Sequence, residues 1–533
     1  MLLAVFIAGC SPDSVPAVTG DDPTAPPGPT DPAPTTPFVD PVIDVVWTPN
    51  ANESAPLGYR LELTSDLPVT VDIVIADDLG ERFVGPFAEA ATHDLWLHHW
   101  RVGRTADVTV TATTASGGVA TWGTTVDAPA LPADFPGLVA NVSNPAAMEP
   151  GVTVLAPTGS GPDGPSYLAA VDATGVVVWW YSATGSVHSI DQTPEGHVRF
   201  MRNRDGVFQV DLRGELIEEW HPRDASPSGV QVEADRLHHD LIDGPDGHFL
   251  ALSIEGRTLE SYPLSELEPA LQGEAFVAGD VIVEFDPLTG ALVAQWSMLD
   301  LLDPGRIGWD AVAGDYWEDY FRQDTKDWTH GNALQYDAAN DRIWFCARHQ
   351  DAVVAIDRGT GTVQGILAND SFWGPSWAPL VFTQVGPGLV PYHQHGIDLG
   401  PDGTILVFDN GNARTTPPQV PTVMTTSRAS EWRVDFDAMT AEEVWAYDDP
   451  RGLYASSLGN VMWLPTRDHV LIDYGNLPRV AETDPGALIL EVTRTEPAEV
   501  VFELAVFRVD PALGNATAYR AHRWATLQPI PGR

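Results

Sequence analysis

Four histidines fall in one phase of a repeated pattern. His188, His239 and His395 each stand six residues ahead of a Pro-acid-Gly turn, in "HSIDQTPEG", "HDLIDGPDG" and "HGIDLGPDG". His330 opens "HGNALQYDAAND", the same pattern with a shifted turn. Short runs closed by such turns read as β-strands, so each histidine opens a strand. A second row lies eighteen residues on, giving Arg257 from His239 and Arg348 from His330. Asn332 follows His330 by two residues and shares its strand face, because side chains alternate with period two. This set contains imidazole, guanidinium and amide, with no cysteine and no evident carboxylate cluster. An imidazole can attack sulfur or phosphorus and carry the group as a covalent N-linked intermediate. Its neighbours can move the proton of a phenol. Arg and Asn can hold the oxygens of a transferred anionic group. Three or four neutral imidazoles on one axis also suit a first-row transition metal, against which a buried, unpaired Arg would count. Taken singly, each histidine also reads as a hydrogen-bonding cap on an inner strand.

Bringing one row of a repeat to one place requires a closed repeat architecture. A hairpin of the form hydrophobic-Asp, two or three residues, then Gly, often ending in Trp, recurs at Val171, Val210, Phe285 and Ile356, with looser copies at Val434 and Leu490. The strand-start row also counts six: Asn144, His188, His239, His330, His395 and Gly459. Six units of four short strands close into a six-bladed β-propeller, in which one row becomes one ring about the central channel. The largest insertion, residues 300–328, is rich in aromatics and is expected to hang over one face as a lid.

The chain has 533 residues, with 47 Gly and 46 Pro among short Val, Thr, Leu and Trp runs, which reads as all-β. Residues 138–533 are expected to form the propeller. Strand runs about ten residues apart over residues 40–130 suggest a small β-sandwich of immunoglobulin or fibronectin type. A net charge of -46 excludes nucleic acid as partner, since phosphate contacts need clustered Lys and Arg. The two cysteines, Cys10 and Cys346, are not expected to pair. Cys346 in "RIWFCAR" reads as a small core residue. The first ten residues, "MLLAVFIAGC", are an apolar run too short to span a membrane. They fit a signal peptide ending in a lipobox, with Cys10 acylated. The usual basic stretch is absent, so a start upstream of Met1 is an expectation. Residues 11–39 are a Pro/Thr/Asp tether that stays extended. The chain is therefore expected to be exported and lipid-anchored to the cell envelope.

The segments "HHDLIDGPDGHFLAL", "DWTHGNALQYDAANDRIWFCARHQDAVVAIDRGTG" and "QHGIDLGPDGTILVFDNG" together resemble the bacterial arylsulfotransferase family, from about Ala140 to the C-terminus. The resemblance implies ping-pong transfer of a sulfuryl group from a phenolic sulfate ester to a phenolic acceptor, with no nucleotide donor and no cofactor or metal. By motif match, His395 would be transiently sulfurylated, and His330, Asn332 and Arg348 would hold the sulfuryl oxygens and assist proton transfer. His239 would complete the pocket, ahead of its out-of-phase neighbour His238, with His188 and Arg257 as substrate-binding residues. A homodimer is compatible with this reading. A metal-dependent propeller enzyme and a non-catalytic, surface-anchored binding propeller remain the alternatives. His393 is out of phase and reads as supporting structure, and "DNG" (409–411) reads as turn chemistry.

Overall fold

The computed structural model describes residues 38–98, 100–158, 165–223, 225, 228–420, 426–478, 481, 483–508 and 515–527. Cys10, the leader and nearly all of the tether lie outside the described residues. Among those described, no helix is long and apolar enough to cross a membrane.

Six antiparallel sheets, each with four main strands, make up the chain from Gly137 onward. Their inner strands are Val187–Gln192, His238–Asp243, Gly331–Asp337, His395–Leu399, Asn460–Leu464 and Thr517–Trp524. Each inner strand packs against the next, and the last packs against the first, which closes the ring. This is a β-propeller. Two of its sheets are completed by distant parts of the chain. Gly137–Ser143 pairs with Val500–Phe507 as an outermost strand. The C-terminal Thr517–Trp524 pairs with Val152–Thr158 and supplies the inner strand of the sheet formed by residues 152–184. Asn144 therefore does not open an inner strand, as the repeat pattern suggested. It follows an outer strand, and Tyr519 and Arg520 stand at the sixth place in the ring.

Residues 43–127 make up the strands ahead of the propeller, where Trp47 of the first strand packs against Trp122 of the last at 5.9 Å. Five strands share one sheet, ordered around Tyr59–Asp77. That strand runs unbroken through the Ser-Asp-Leu-Pro stretch at 65–68. The register slips there, between Thr64 and Val69, and the ladder continues beyond it with two further slips before Ile73. Leu61, Leu63, Val69, Val71, Ile73 and Ile75 all point to one buried face, as a period of two requires. The same apolar cluster takes in Tyr167, Trp180, Ile489 and Leu504 of the propeller. Arg101 ties the two parts through Asp172, at 2.6 Å.

The blades are also joined on the axis. The buried carboxylate of Asp240 accepts from Ser189 Oγ (3.1 Å), the Leu334 amide (2.8 Å) and Arg520 Nη1 (2.6 Å). Arg520 Nη2 donates to the Asn332 carbonyl at 2.7 Å. Asn332 Nδ2 reaches the Gln394 carbonyl (2.9 Å), and Asn460 exchanges two bonds with Ala521. Beyond this polar layer, toward the far ends of the inner strands, lies a cavity of about 300 Å³. Removing one partner of a buried charge pair leaves the other uncompensated, at a cost of about 3–5 kcal/mol. Arg520→Ala should therefore lower the unfolding free energy by about that much in urea titrations. Pairing Asp240→Leu with Arg520→Met should recover most of the loss.

Candidate active site

The ring histidines gather at the other side of the polar layer. Each of the first four inner strands has a register irregularity at its first residues. His239 and His330 are themselves left-handed, with φ of 55° and 46°. A bulge of this kind re-aims side chains at a strand end. The rings of His188 and His239 lie 5.1 Å apart, as do those of His239 and His330. His188 stacks on Tyr519 at 4.0 Å, and His395 lies edge-on to Tyr519 at 6.5 Å. The hydroxyl of Tyr519 has no hydrogen-bond partner among the described residues.

Fixed acceptors behind the rings determine their tautomers. His395 Nδ1 lies 2.7 Å from Asn410 Oδ1, so it carries the proton and donates it. His330 Nδ1 donates to Asp327 Oδ2 at 2.5 Å. His238 Nε2 faces two acceptors, the Ser253 carbonyl at 3.0 Å and Asp280 Oδ1 at 3.3 Å, so it is the protonated nitrogen. Its Nδ1 then accepts from His239 Nδ1, 2.8 Å away. His239, His330 and His395 are thus each anchored through Nδ1–H, which leaves a lone pair on each Nε2.

Burial holds these imidazoles neutral. It is the largest cause depressing His188, His239, His330 and His395 well below 6.5. The charge of the Arg348 guanidinium is the next cause for His330 and His395, so both rings lie within its electrostatic reach. Arg348 stands directly after the strand Arg342–Ala347, in a single 3-10 turn. Its Nη1 donates to His349 Nε2 at 2.6 Å, and His349 Nδ1 donates to the Asp327 carbonyl at 2.6 Å. His393 behaves in the opposite way. Burial lowers its pKa, but Asp351 at 2.7 Å and Asp310 at 3.5 Å outweigh burial and raise it. Asp310 also lies 3.8 Å from Arg348 Nη1.

The insertion expected as a lid supplies Asp310, Tyr316, Trp317 and Asp327. The Tyr316 ring stands 4.9 Å from His330 and 5.4 Å from His239. Its hydroxyl meets Asn203 at 2.5 Å, and Arg204 lies over its face at 4.0 Å. Trp317 is buried against His238. The insertion therefore walls one side of the imidazole cluster.

A family model described as Arylsulfotransferase (ASST) matches residues 140–520. This chain belongs to the arylsulfotransferase family. It is 25% identical over 404 residues to "Arylsulfate sulfotransferase AssT" of Escherichia coli O6:H1, covering 66% of this chain and 64% of that protein. The chain thus spans less than two thirds of that relative's length. A protein of the same name from Lelliottia amnigena is 26% identical over 286 residues, or 45% of this chain and 46% of that one. Among solved structures, BamB from Moraxella catarrhalis aligns at 14% identity and a TM-score of 0.25, over 76% of this chain and 86% of that one.

In this chain the structure brings His188, His239, His330 and His395 together, with Arg348 in electrostatic reach of the last two. Asn332 is buried nearby, with its amide directed at Gln394 and its Oδ1 free of partners among the described residues. Arg257 does not join them. It lies on the long strand Phe249–Pro263 and pairs with Glu255 (2.8 Å) and Asp300 (2.5 Å). The offset of eighteen fails because the hairpins differ in length. His238 faces Leu252, whereas Gly331 faces Ala347, so in the shorter hairpin the same count overshoots the channel. His238, set aside as out of phase, is the group that orients His239. His393 is a buried ion-paired group in contact with the lid. The site also contains carboxylates, contrary to expectation: Asp327, Asp310 and Asp351.

Asn410 was hidden by a turn signal. It is fully buried and supports His395 from the end of the second strand of its hairpin, the place Arg348 takes in the preceding blade. Asking which residue ends each second strand is the sequence signal that would have found it. Among the described residues, only Asp327, His330 and His349 form a group whose ligand atoms lie within 4.8 Å of one another. Those atoms bond to each other and to Arg348, whose charge opposes a bound cation. The Nε2 atoms of His239, His330 and His395 form no such group.

The depressed imidazoles make stability sensitive to acid. In the unfolded chain they take up protons below about pH 6.5, which the folded state excludes. Their contribution is intact above that pH and is lost as the pH falls below it. The urea midpoint should decline steadily below about pH 6.5, and substitution of His188 by Asn should flatten the decline.

Proposed function

We propose that this protein moves a sulfuryl group from a phenolic sulfate ester to a phenolic acceptor, through a sulfohistidine at His395 and without a nucleotide donor. The observation that carries this reading is His395 itself: a buried, neutral imidazole with its proton held on Nδ1 by Asn410 and within electrostatic reach of the Arg348 guanidinium. In the first half-reaction the Nε2 lone pair attacks sulfur, the S–O bond to the aryl group breaks, and the aryl oxide leaves with its electron pair. Arg348 offsets charge on the sulfuryl oxygens. The departing aryl oxide takes its proton from solvent, and in the second half-reaction the free Nε2 of His330, backed by the Asp327 carboxylate, takes the proton of the incoming phenol and returns it to solvent. His239 presents a second lone pair for the same traffic. In the second half-reaction the acceptor oxygen attacks sulfur and the N–S electron pair returns to Nε2. The names of the two relatives, both arylsulfate sulfotransferases, support the donor class.

The purified protein should release 4-nitrophenol from 4-nitrophenyl sulfate when phenol is added, with no nucleotide present. His395→Ala should abolish this release, and Arg348→Ala should reduce turnover about 10²–10³-fold. Arg257→Ala should leave it unchanged. Because the folded-state pKa of His395 lies below 6.5, the acid limb of kcat/KM should also fall below that pH. Absence of nitrophenol release above background at any pH would overturn the reading.

We further propose that Cys10 is acylated and anchors the chain to the cell envelope. The apolar run ending in Ile-Ala-Gly-Cys and the extended tether after it support this. Full-length protein should fractionate with membranes and incorporate labelled palmitate. Cys10→Ser should lose the label.

A further inference from the structure

We propose that Asn410 is the positioning residue that selects the reacting nitrogen of His395 and keeps the sulfohistidine labile. The proposal rests on the reading of His395 as nucleophile. Asn410 is fully buried. Its Nδ2 faces two backbone carbonyls, Ala455 at 2.8 Å and Leu458 at 3.0 Å, which can only accept. That fixes the amide so that Oδ1, which also can only accept, points at His395 Nδ1. The loop that provides Ala455 is itself tied back, since Ser427 Oγ bonds both to the Asn410 carbonyl (2.8 Å) and to the Ala455 amide (2.8 Å). Rotation of the amide would set its oxygen against two carbonyls, so only one tautomer of His395 fits.

The choice of an amide, where His330 has a carboxylate, has a chemical consequence. Attack of Nε2 on sulfur produces an N-sulfoimidazolium that still carries its Nδ1 proton. A neutral acceptor lets that proton remain. When the acceptor oxygen displaces the ring, the N–S bond breaks and neutral imidazole leaves with the electron pair. A carboxylate at this position would draw the proton away as positive charge develops on the ring. The leaving group would then be imidazolate, which is much poorer, and the intermediate would persist. The carboxylate behind His330 suits a group that must gain and lose a proton, and the amide behind His395 suits one that must gain and lose sulfur.

Two measurements on the full-length protein test this. Nitrogen NMR of histidine-labelled protein, with His395 assigned by substitution, should show the His395 proton on Nδ1 in the wild type and a mixture of tautomers in Asn410→Leu. Turnover of Asn410→Leu should fall on the order of a hundredfold. Rapid mixing of Asn410→Asp with radiolabelled 4-nitrophenyl sulfate should retain a burst of nitrophenol, slow subsequent turnover at least tenfold, and leave label on a His395 peptide. Circular dichroism establishes whether each variant is folded, and the wild-type tautomer decides the first half of the proposal even if a variant is not. A wild-type proton on Nε2 would overturn it, as would a folded Asn410→Asp in which both half-reactions slow equally and no label accumulates. If the wild type takes up no label, the sulfotransferase reading fails, and the lability argument with it, while the NMR result stands alone on the tautomer.

Discussion

The carboxylate of Asp240 accepts hydrogen bonds from three other sheets: from Ser189, from Leu334 and from the guanidinium of Arg520. A propeller is held together weakly between blades, because each blade's backbone bonds are satisfied within its own sheet. Something on the axis must fix the inner strands relative to one another. Here a buried ion pair does so, and it recruits the C-terminal strand, on which Arg520 lies, into the ring. Isolated buried charges are costly, so this pair is tolerable only when both carboxylate oxygens and most of the guanidinium donors are met, as they are around Asp240. The imidazole cluster stands immediately above this layer, and its spacing is that of the strands the layer locks.

On that frame the four ring histidines are alike in burial but differ in what lies behind them. Asn410 supports His395, Asp327 supports His330 and His238 supports His239. His188 stacks on Tyr519 and meets Ser186 at 3.0 Å. In the proposed reaction these backing groups separate a nucleophile from proton carriers that would otherwise be chemically equivalent. The same burial that keeps the rings neutral at ordinary pH also makes the site electrostatically sensitive, since one guanidinium is felt by both His330 and His395. Asp310 restores part of the balance by standing between Arg348 and the ion-paired His393.

The insertion at 300–328 has two roles in the structure. Its strand Lys326–Asp327 pairs with Gln272–Phe285 and so extends a blade. Its aromatic stretch closes one wall of the site. One short segment thereby places both the Asp327 carboxylate behind His330 and the Tyr316 ring beside it. The sheet of residues 43–127 touches none of these groups. It buries one face against the outer parts of two blades, which couples its stability to the propeller without adding to the chemistry.

Much of this was legible in the chain alone, because a closed repeat turns sequence phase into spatial proximity. The Pro-acid-Gly turns and the hydrophobic-Asp-Gly hairpins identify the blades, and the shared phase of His188, His239, His330 and His395 identifies the ring. Cys346, in a short apolar run, is buried in the core as that run implies. Phase fails where blades depart from uniform length. Arg257 is displaced by a shorter hairpin, and Asn144 loses its place to a strand from the far end of the chain. Phase is also silent about partners. The roles of Asn410, Asp327 and His238 depend on which fixed acceptor faces which nitrogen, across loops and insertions that follow no period. The residue types and their convergence were therefore determined by the sequence, whereas the tautomer of each imidazole, and with it the distinction among them, was decided only by the tertiary packing of unrepeated segments.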